Sequence, residues 1–270
     1  MRPLYYSIVL LTASAVVTAQ QPPAPPPSPI SDHFAARASY YVGKISTDGH
    51  VTDPNAAVPG TQISMENDLG LTPDVHQGRV EFMFRMRERL RMRVDMWEVN
   101  RSALASPPIT IQYGNIVLLP TDLVTSTFDW RQIDMTGTYS LLHQKRFELG
   151  LGLGLHLIQA STDARVYARA VHESFDGAGP FGTVALDGTF LITRRFSFNA
   201  RAQYMSLNVN SNSGKLGDYH ADVQFRWLPN IAFGLGYAST QEHVEVRNHN
   251  PSGEMRLDIH GPELFVRASF

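Results

Sequence analysis

The sequence predicts an all-β protein, closed into an antiparallel up-and-down transmembrane barrel of ten strands. Three observations point there: apolar and polar side chains alternate with a two-residue period over many segments, tight and long connections take turns along the chain, and no apolar run of about 18 residues follows residue 19. Only a closed sheet satisfies its backbone hydrogen bonds in hydrocarbon while leaving every second side chain polar.

The amino-terminal segment reads as a cleaved secretory signal over residues 1–19. Arg2 supplies a positive start, an apolar run extends from Leu4 to Val17, and Val17-Thr18-Ala19 offers a small-residue cleavage site. The run is shorter than the roughly 20 residues that span a bilayer. No cysteine occurs in the chain, so neither lipidation at that site nor a disulfide is available. Residues 20–32 form a proline-rich periplasmic stem, extended by composition, and residues 33–270 form the barrel. A net charge of −2 gives no nucleic-acid surface.

Alternation places the strands. Val80, Phe82, Phe84 and Met86 alternate with Arg79, Glu81, Met83 and Arg85, and after a tight connection Leu90, Met92, Val94 and Met96 alternate with Arg91, Arg93, Asp95 and Trp97. Phe147, Leu149, Leu151, Leu153, Leu155 and Leu157 all fall on one face. Period-two geometry sends each apolar set to a single side. The expected strands cover residues 34–45, 78–86, 89–99, 122–142, 145–159, 181–193, 195–208, 217–228, 230–246 and 255–270. Connections after even strands are tight, at Arg87-Glu88-Arg89, His143-Gln144, Arg194 and Pro229, and those after odd strands are longer. That is the asymmetry of bacterial barrels, with short periplasmic turns and long external loops. Residues 61–69 and 109–119 could add an external hairpin or a further strand pair, so eight or twelve strands also satisfy an even count. Tyr40, Tyr139, Tyr204, Tyr219, Trp227, Tyr237 and Phe270 stand on the apolar face toward strand ends, where a headgroup girdle needs them.

The opposite phase defines the lumen. It carries Arg37, Arg79, Arg85, Arg91, Arg93, Arg201, Arg226 and Arg267 against Glu81, Asp95, Asp134, Glu148, Asp187, Asp222 and Glu263. Enclosed charges of both signs must pair, and water-filled general pores use about 16 to 18 strands. The expected bore is therefore plugged by a charge network, with Gly150, Gly152 and Gly154 leaving room on one wall for the arginines opposite. Near Pro262 a bulge could flip Leu257 and Ile259 relative to Leu264.

Other motifs carry less. Gly150-Leu151-Gly152-Leu153-Gly154 lacks the strand-turn-helix setting of a phosphate loop. His220 and Asp222 share a face without a nucleophile. Glu66-Asn67-Asp68 has oxygen ligands enough for calcium, although an ordinary loop turn explains it as well. The same three residues resemble the acidic Asn-Asp element of outer-membrane lipid A deacylases; those enzymes continue with Tyr-Thr-Asn-Gly, where this chain has His76-Gln77-Gly78-Arg79.

The final strand, with Leu264, Val266, Ala268 and Phe270 on its apolar face, resembles the carboxy-terminal assembly signal of bacterial outer-membrane barrels. More widely, residues 60–71, the hairpin from Arg79 to Arg93, Trp227-Leu228-Pro229-Asn230 with Phe233-Gly234-Leu235-Gly236-Tyr237, and Gly261-Pro262 with Phe270 resemble a group of proteobacterial outer-membrane β-barrel proteins. The resemblance implies fold and an outer-membrane location, and no substrate. The expected role is non-enzymatic, in envelope structure or surface interaction, with no catalytic residue, metal or cofactor. Expected partners are outer-membrane lipid, lipopolysaccharide and, during biogenesis, the barrel assembly machinery, with no nucleic acid and no assigned ligand. Two alternatives stay open: a deacylase-like lipid A-modifying enzyme using Glu66, Asn67, Asp68 and His172, and a narrow selective channel.

Overall fold

Ten long strands close on themselves in a computed structural model that describes residues 28–52, 60–209, 212–247 and 252–270. The expected signal segment and residues 20–27 of the stem lie outside the described residues. The strands are β1 (Phe34–Thr52), β2 (Ile63–Ser64), β3 (Asp74–Arg87), β4 (Leu90–Ala105), β5 (Ile111–Tyr113), β6 (Ile116–Leu118), β7 (Val124–His143), β8 (Phe147–Val166), β9 (Val171–Leu191), β10 (Phe196–Val209), β11 (Asn212–Leu228), β12 (Ile231–Val246) and β13 (Ser252–Ser269). Apart from β2, β5 and β6, each strand pairs antiparallel with its neighbours in sequence, and β13 pairs with β1 to close the ring. The segments at 61–69 and 109–119 add no barrel strand: β2 lies on the upper end of β1, and β5 and β6 form a separate hairpin that turns at Gly114, φ +57°. The barrel therefore has ten strands rather than eight or twelve.

Strand lengths exceed expectation on one side. Residues 160–180, expected as an external connection, are mostly strand, because β8 and β9 run on for 20 and 21 residues and leave only residues 167–170 between them. The connections expected at 209–216 and 247–254 shorten for the same reason, so true long connections remain only at 53–73 and 106–123. A strand needs roughly 9 to 11 residues to cross a bilayer, and the excess projects beyond it.

Strand β7 shows how the wall is built. Its odd residues face out: Tyr139, Met135 and Ile133, then Arg131, Asp129, Thr127 and Thr125. Its even residues face in: Ser140, Thr138, Thr136, Asp134 and Gln132, then Trp130, Phe128 and Val124. Both faces change chemistry at one height. In β8 the outward leucines from Leu149 to Leu157 give way to Gln159, Ser161, Asp163 and Arg165, while inward His156 is followed by Ile158, Ala164 and Val166. Tyr40, Tyr204, Tyr219 and Tyr237 stand half-exposed near this boundary, and Trp227 and Phe270 mark the other rim. Below the tyrosines the outside is apolar and meets lipid. Above them the outside is polar and meets water. Leu257 and Ile259 are buried and share the inward phase of Glu263 and Phe265, and the β1–β13 register stays constant from Ala35↔Ser269 to Thr52↔Ser252, so no bulge flips them. What changes at Pro262 is the surrounding medium.

Candidate functional site

The candidate site is the filled bore, whose lower layer holds all fifteen ionic residues expected there. Arg85 donates two parallel bonds to Glu148, at 2.8 and 2.9 Å, in the bidentate geometry that suits guanidinium and carboxylate. Glu148 also accepts from Ser140 and lies 3.5 Å from Arg91. Arg91 and Arg93 reach Asp187 at 3.4 and 2.8 Å, and Glu81 bridges Arg93 and Arg201. Arg79 grips Asp95 at 2.7 Å and lies 3.7 Å from Asp218. Arg37 donates to Asp222 at 2.9 Å and to Glu263, with its guanidinium 3.5 Å from the Phe265 ring centroid. Asp134 pairs with His156 at 2.6 Å. Arg79–Asp95, Glu81–Arg93, Arg37–Glu263 and Asp134–His156 join neighbouring strands, whereas Arg85–Glu148, Arg91 and Arg93 with Asp187, Arg201–Glu81 and Arg37–Asp222 link strands that are not neighbours and brace the sheet from within.

The glycine wall makes this packing fit. A Cβ at Gly154 would stand 2.2 Å from Gln203 Oε1 and 2.4 Å from Thr183 Oγ1, so only glycine admits the Gln203 side chain that holds His156 at 3.1 Å. At Gly150 an added Cβ would meet only ordinary contacts, with the Tyr139 carbonyl at 3.4 Å, Thr138 Cβ at 3.5 Å and Arg91 Nη2 at 3.6 Å.

Three acids join that reading of the sequence did not include. Asp32 lies in a turn tucked into the lower mouth, where it accepts from Arg226 at 2.8 Å and pairs with Arg267 at 3.2 Å; Pro29 and Ile30 beside it are buried. Residues 28–33 thus close the periplasmic rim, where His33 and Phe34 donate to the Phe270 carbonyl. Asp218 and Glu242 are buried higher, and both Glu242 oxygens lack a hydrogen-bond partner among the described residues. Asp32 follows a proline run with no alternation to give it away. Asp218 lies in phase with His220 and Asp222, and Glu242 in phase with Ala238 and Thr240, so extending the pattern finds both.

Above the ionic layer the bore is filled by an apolar core. Trp97, Val99, Phe128, Trp130, Leu216 and Leu257 come from the wall, Met65, Leu69 and Leu71 from the first long connection, and Ile111, Tyr113 and Leu118 from the β5–β6 hairpin. Burial pushes the Tyr113 hydroxyl up to about 12, and it bonds Thr162 Oγ1 at 2.5 Å. Arg169, in the β8–β9 turn, donates to Asp122 Oδ1 at 2.8 Å and to the Val117 carbonyl at 2.6 Å, tying the hairpin down. A cavity of about 50 Å³ remains in the ionic layer, bordered by Arg37, Arg91, Arg93, Arg201, Asp187 and Asp222.

The other candidates are engaged locally. Glu66 accepts from Arg101 of β4 and from the Thr47 amide of β1 at 2.9 Å, tying its loop to the wall, and Asp68 accepts from the Ser64 amide at 2.8 Å within the loop itself. Asn67 is exposed and bonds Ser64 Oγ at 3.1 Å. His172 pairs with Asp163 of the adjacent strand, and no contact joins it to Glu66, Asn67 or Asp68 among the described residues. His220 contacts Glu263 and Arg37, with Asp222 3.6 Å from its Nδ1, inside the ionic layer. No group of three metal-ligating side chains occurs among the described residues. Leu264, Val266 and Phe270 face lipid, and Ala268 shares their phase.

The fold matches solved outer-membrane barrels. The outer membrane protease OmpT from Escherichia coli superimposes with a TM-score of 0.54 over 87% of this chain and 97% of that chain, at 11% identity. The protein has the fold of an outer-membrane β-barrel. OprG from Pseudomonas aeruginosa (TM-score 0.39, 10% identity, 88% of this chain and 95% of that one) and the Neisserial surface protein A (0.33, 13%, 88% and 97%) are also similar. No family model matches the chain, and no curated protein does. At these identities the likeness carries the fold and leaves activity to the chain's own residues.

Proposed function

We propose that the protein is a non-conducting, non-enzymatic element of the outer-membrane surface, whose barrel is a rigid pedestal and whose extracellular extension is the interacting part. One observation supports this above the rest: the bore is filled twice over, by ion pairs at membrane height and by an apolar core above. The remaining cavity of about 50 Å³ has room for only about three to five waters. The lipid-facing belt and its tyrosine rim suit outer-membrane lipid and lipopolysaccharide as the surrounding partners, and the Leu264, Val266, Ala268 and Phe270 edge suits recognition by the assembly machinery. Loops and strand tops on rigid scaffolds usually carry recognition.

Two measurements test the reading. Reconstituted protein in planar bilayers is expected to give no stepwise current; discrete conductance would replace the reading with a channel. Lipid A extracted from cells with and without the protein is expected to give the same mass spectrum, and a lost acyl chain would replace it with the enzymatic alternative.

A further inference from the structure

The barrel is fully paired only where lipid surrounds it. Strand β10 pairs with β9 from Ser197↔Leu191 up to Tyr204↔Val184 and no further. Above that rung β9 continues for 13 residues, 171–183, paired to β8 alone, and β10 continues through Met205 to Val209 paired to β11 alone. Two free strand edges thus face each other just above Tyr204, one of the outer tyrosines. Backbone edges are forbidden in hydrocarbon and tolerated in water, which is why the seam stops where the tyrosines do. Composition agrees: this stretch of β9 holds Gly177, Gly179, Pro180 and Gly182, residues found at strand edges and gaps. A Cβ at Gly177 would meet nothing within 4 Å.

At the foot of the seam three side chains of the inward phase, Met205, Leu207 and Phe181, are apolar although water is near, while Ser206, Asn208 and Thr183 stand beside them and Glu173 and Asp176 lie higher on the β9 edge. Leu207 has the phase of the lumen-facing Gln203 and Met205, yet it is 53% exposed, because no neighbouring strand covers it. Phe181 is the residue that would pair with Leu207 if the ladder went on. Its ring instead leans toward Gly214 of β11, where a Cβ would come within 3.1 Å of it, and it packs on the apolar core. Val184 and Tyr204, both more than half-exposed, form the lower lip on the lipid side. On the outward face one rung above, Lys215 pairs with Ser206 and is exposed.

We propose that the β9–β10 seam is a binding site for a single-chain anionic amphiphile of the fatty-acid class, which enters from the outer leaflet. Its tail lies along Leu207, Met205 and Phe181, and its carboxylate meets Lys215 at headgroup height. The fit follows from position and chemistry together: Met205, Leu207 and Phe181 stand at an opening in the wall just above the tyrosine rim, and Lys215 stands on the outward face of β11, one strand from that opening. The Phe181 ring forms the inner end of the slot and limits the length of tail admitted.

The chain has no cysteine, so a single engineered one can carry an environment-sensitive fluorophore. Full-length Leu207→Cys and, as reference, Ser102→Cys on the outward face of β4 are labelled, reconstituted in phosphatidylcholine nanodiscs and titrated with oleate. The expected result is a saturable blue shift at position 207 only. Lys215→Glu in the Leu207→Cys background is expected to weaken the response about tenfold, close to 1.4 kcal/mol, and Phe181→Ala to shift preference toward longer chains. Equal responses at 207 and 102, an unsaturable response, or none at 207 would each overturn the proposal. Retained circular dichroism of each labelled variant confirms the fold being tested.

Discussion

The lower and upper halves of this barrel share the same strands and the same side-chain phase, yet they are inside-out versions of each other. At membrane height the outside is leucine, valine and aromatic, and the inside is arginine and carboxylate. Above the tyrosines the outside carries Arg131, Asp163, Lys44 and Arg256, and the inside carries Trp130, Phe128, Ile45 and Leu257. Backbone geometry decides only which residues share a face. The medium on each side decides what those residues must be. In lipid the outer face must be apolar, so polar groups turn inward and must satisfy one another. In water the ordinary rule of soluble proteins returns, and the interior packs as a core held by apolar burial.

The two halves should therefore fail differently. The largest effect is expected at Glu148, which is fully buried and bonded to Arg85, Ser140 and, at longer range, Arg91. Glu148→Leu leaves Arg85 without its carboxylate in a closed layer and should cost about 3–5 kcal/mol in urea unfolding of the protein in vesicles. Adding Arg85→Met should restore part of that loss, since removing both partners of an ion pair is milder than removing one. If the double variant is no better than the single, the lower layer is not held by paired charge.

In the upper half the expected mechanism is cavity formation. Leu257 is fully buried between β12 and β1, and Leu257→Ala should cost about 3 kcal/mol. The loss should stay local: hydrogen exchange is expected to quicken in the β5–β6 hairpin and the strand tops while the membrane-height amides stay protected. Uniform loosening would mean that the two layers form one cooperative unit.

The membrane-height half was legible in the sequence, because lipid outside and ions inside give an alternation that recurs in strand after strand between tight turns. Ten strands, four tight turns and the fifteen inner charges follow from that contrast. The upper half was harder to read, for a physical reason. Its inversion of chemistry makes Leu257 and Ile259 look out of phase with Leu264, and the sequence invites a bulge that the constant register removes. The seam is obscured further, because Gly177, Gly179, Pro180 and Gly182 weaken the strand signal at the place where β9 loses a neighbour. Asp32 follows prolines, and only the folded mouth brings it to Arg226.

The height of the inversion can be mapped by placing one cation at successive outward positions of β8. Leu153 is 72% exposed on the lipid face, and Leu153→Lys should cost about 2–3 kcal/mol, as basic residues do near mid-membrane. Ser161→Lys, on the same face four outward positions higher, should change stability by no more than about 0.5 kcal/mol. Equal costs at both positions would place Ser161 in lipid and remove the extension from water.

The smallest expected effect concerns the clamp on the hairpin. Hydrogen bonds from Arg169, reinforced by the Leu119 amide, hold the Asp122 carboxyl below the usual carboxylate range. A depressed folded value means that the clamp is fully present above the unfolded carboxylate value of about 3.9 and is lost as pH falls through the lower folded one. Hairpin protection, corrected for intrinsic exchange, should therefore stay level from pH 7 to pH 5 and drop only in stronger acid. Asp122→Asn should lower protection of residues 111–118 already at pH 7 and flatten its pH dependence, leaving β3 and β4 below unchanged. Wild-type protection in the Asn variant at neutral pH would show that the apolar contacts of Ile111, Tyr113 and Leu118 hold the hairpin without the Arg169–Asp122 ion pair.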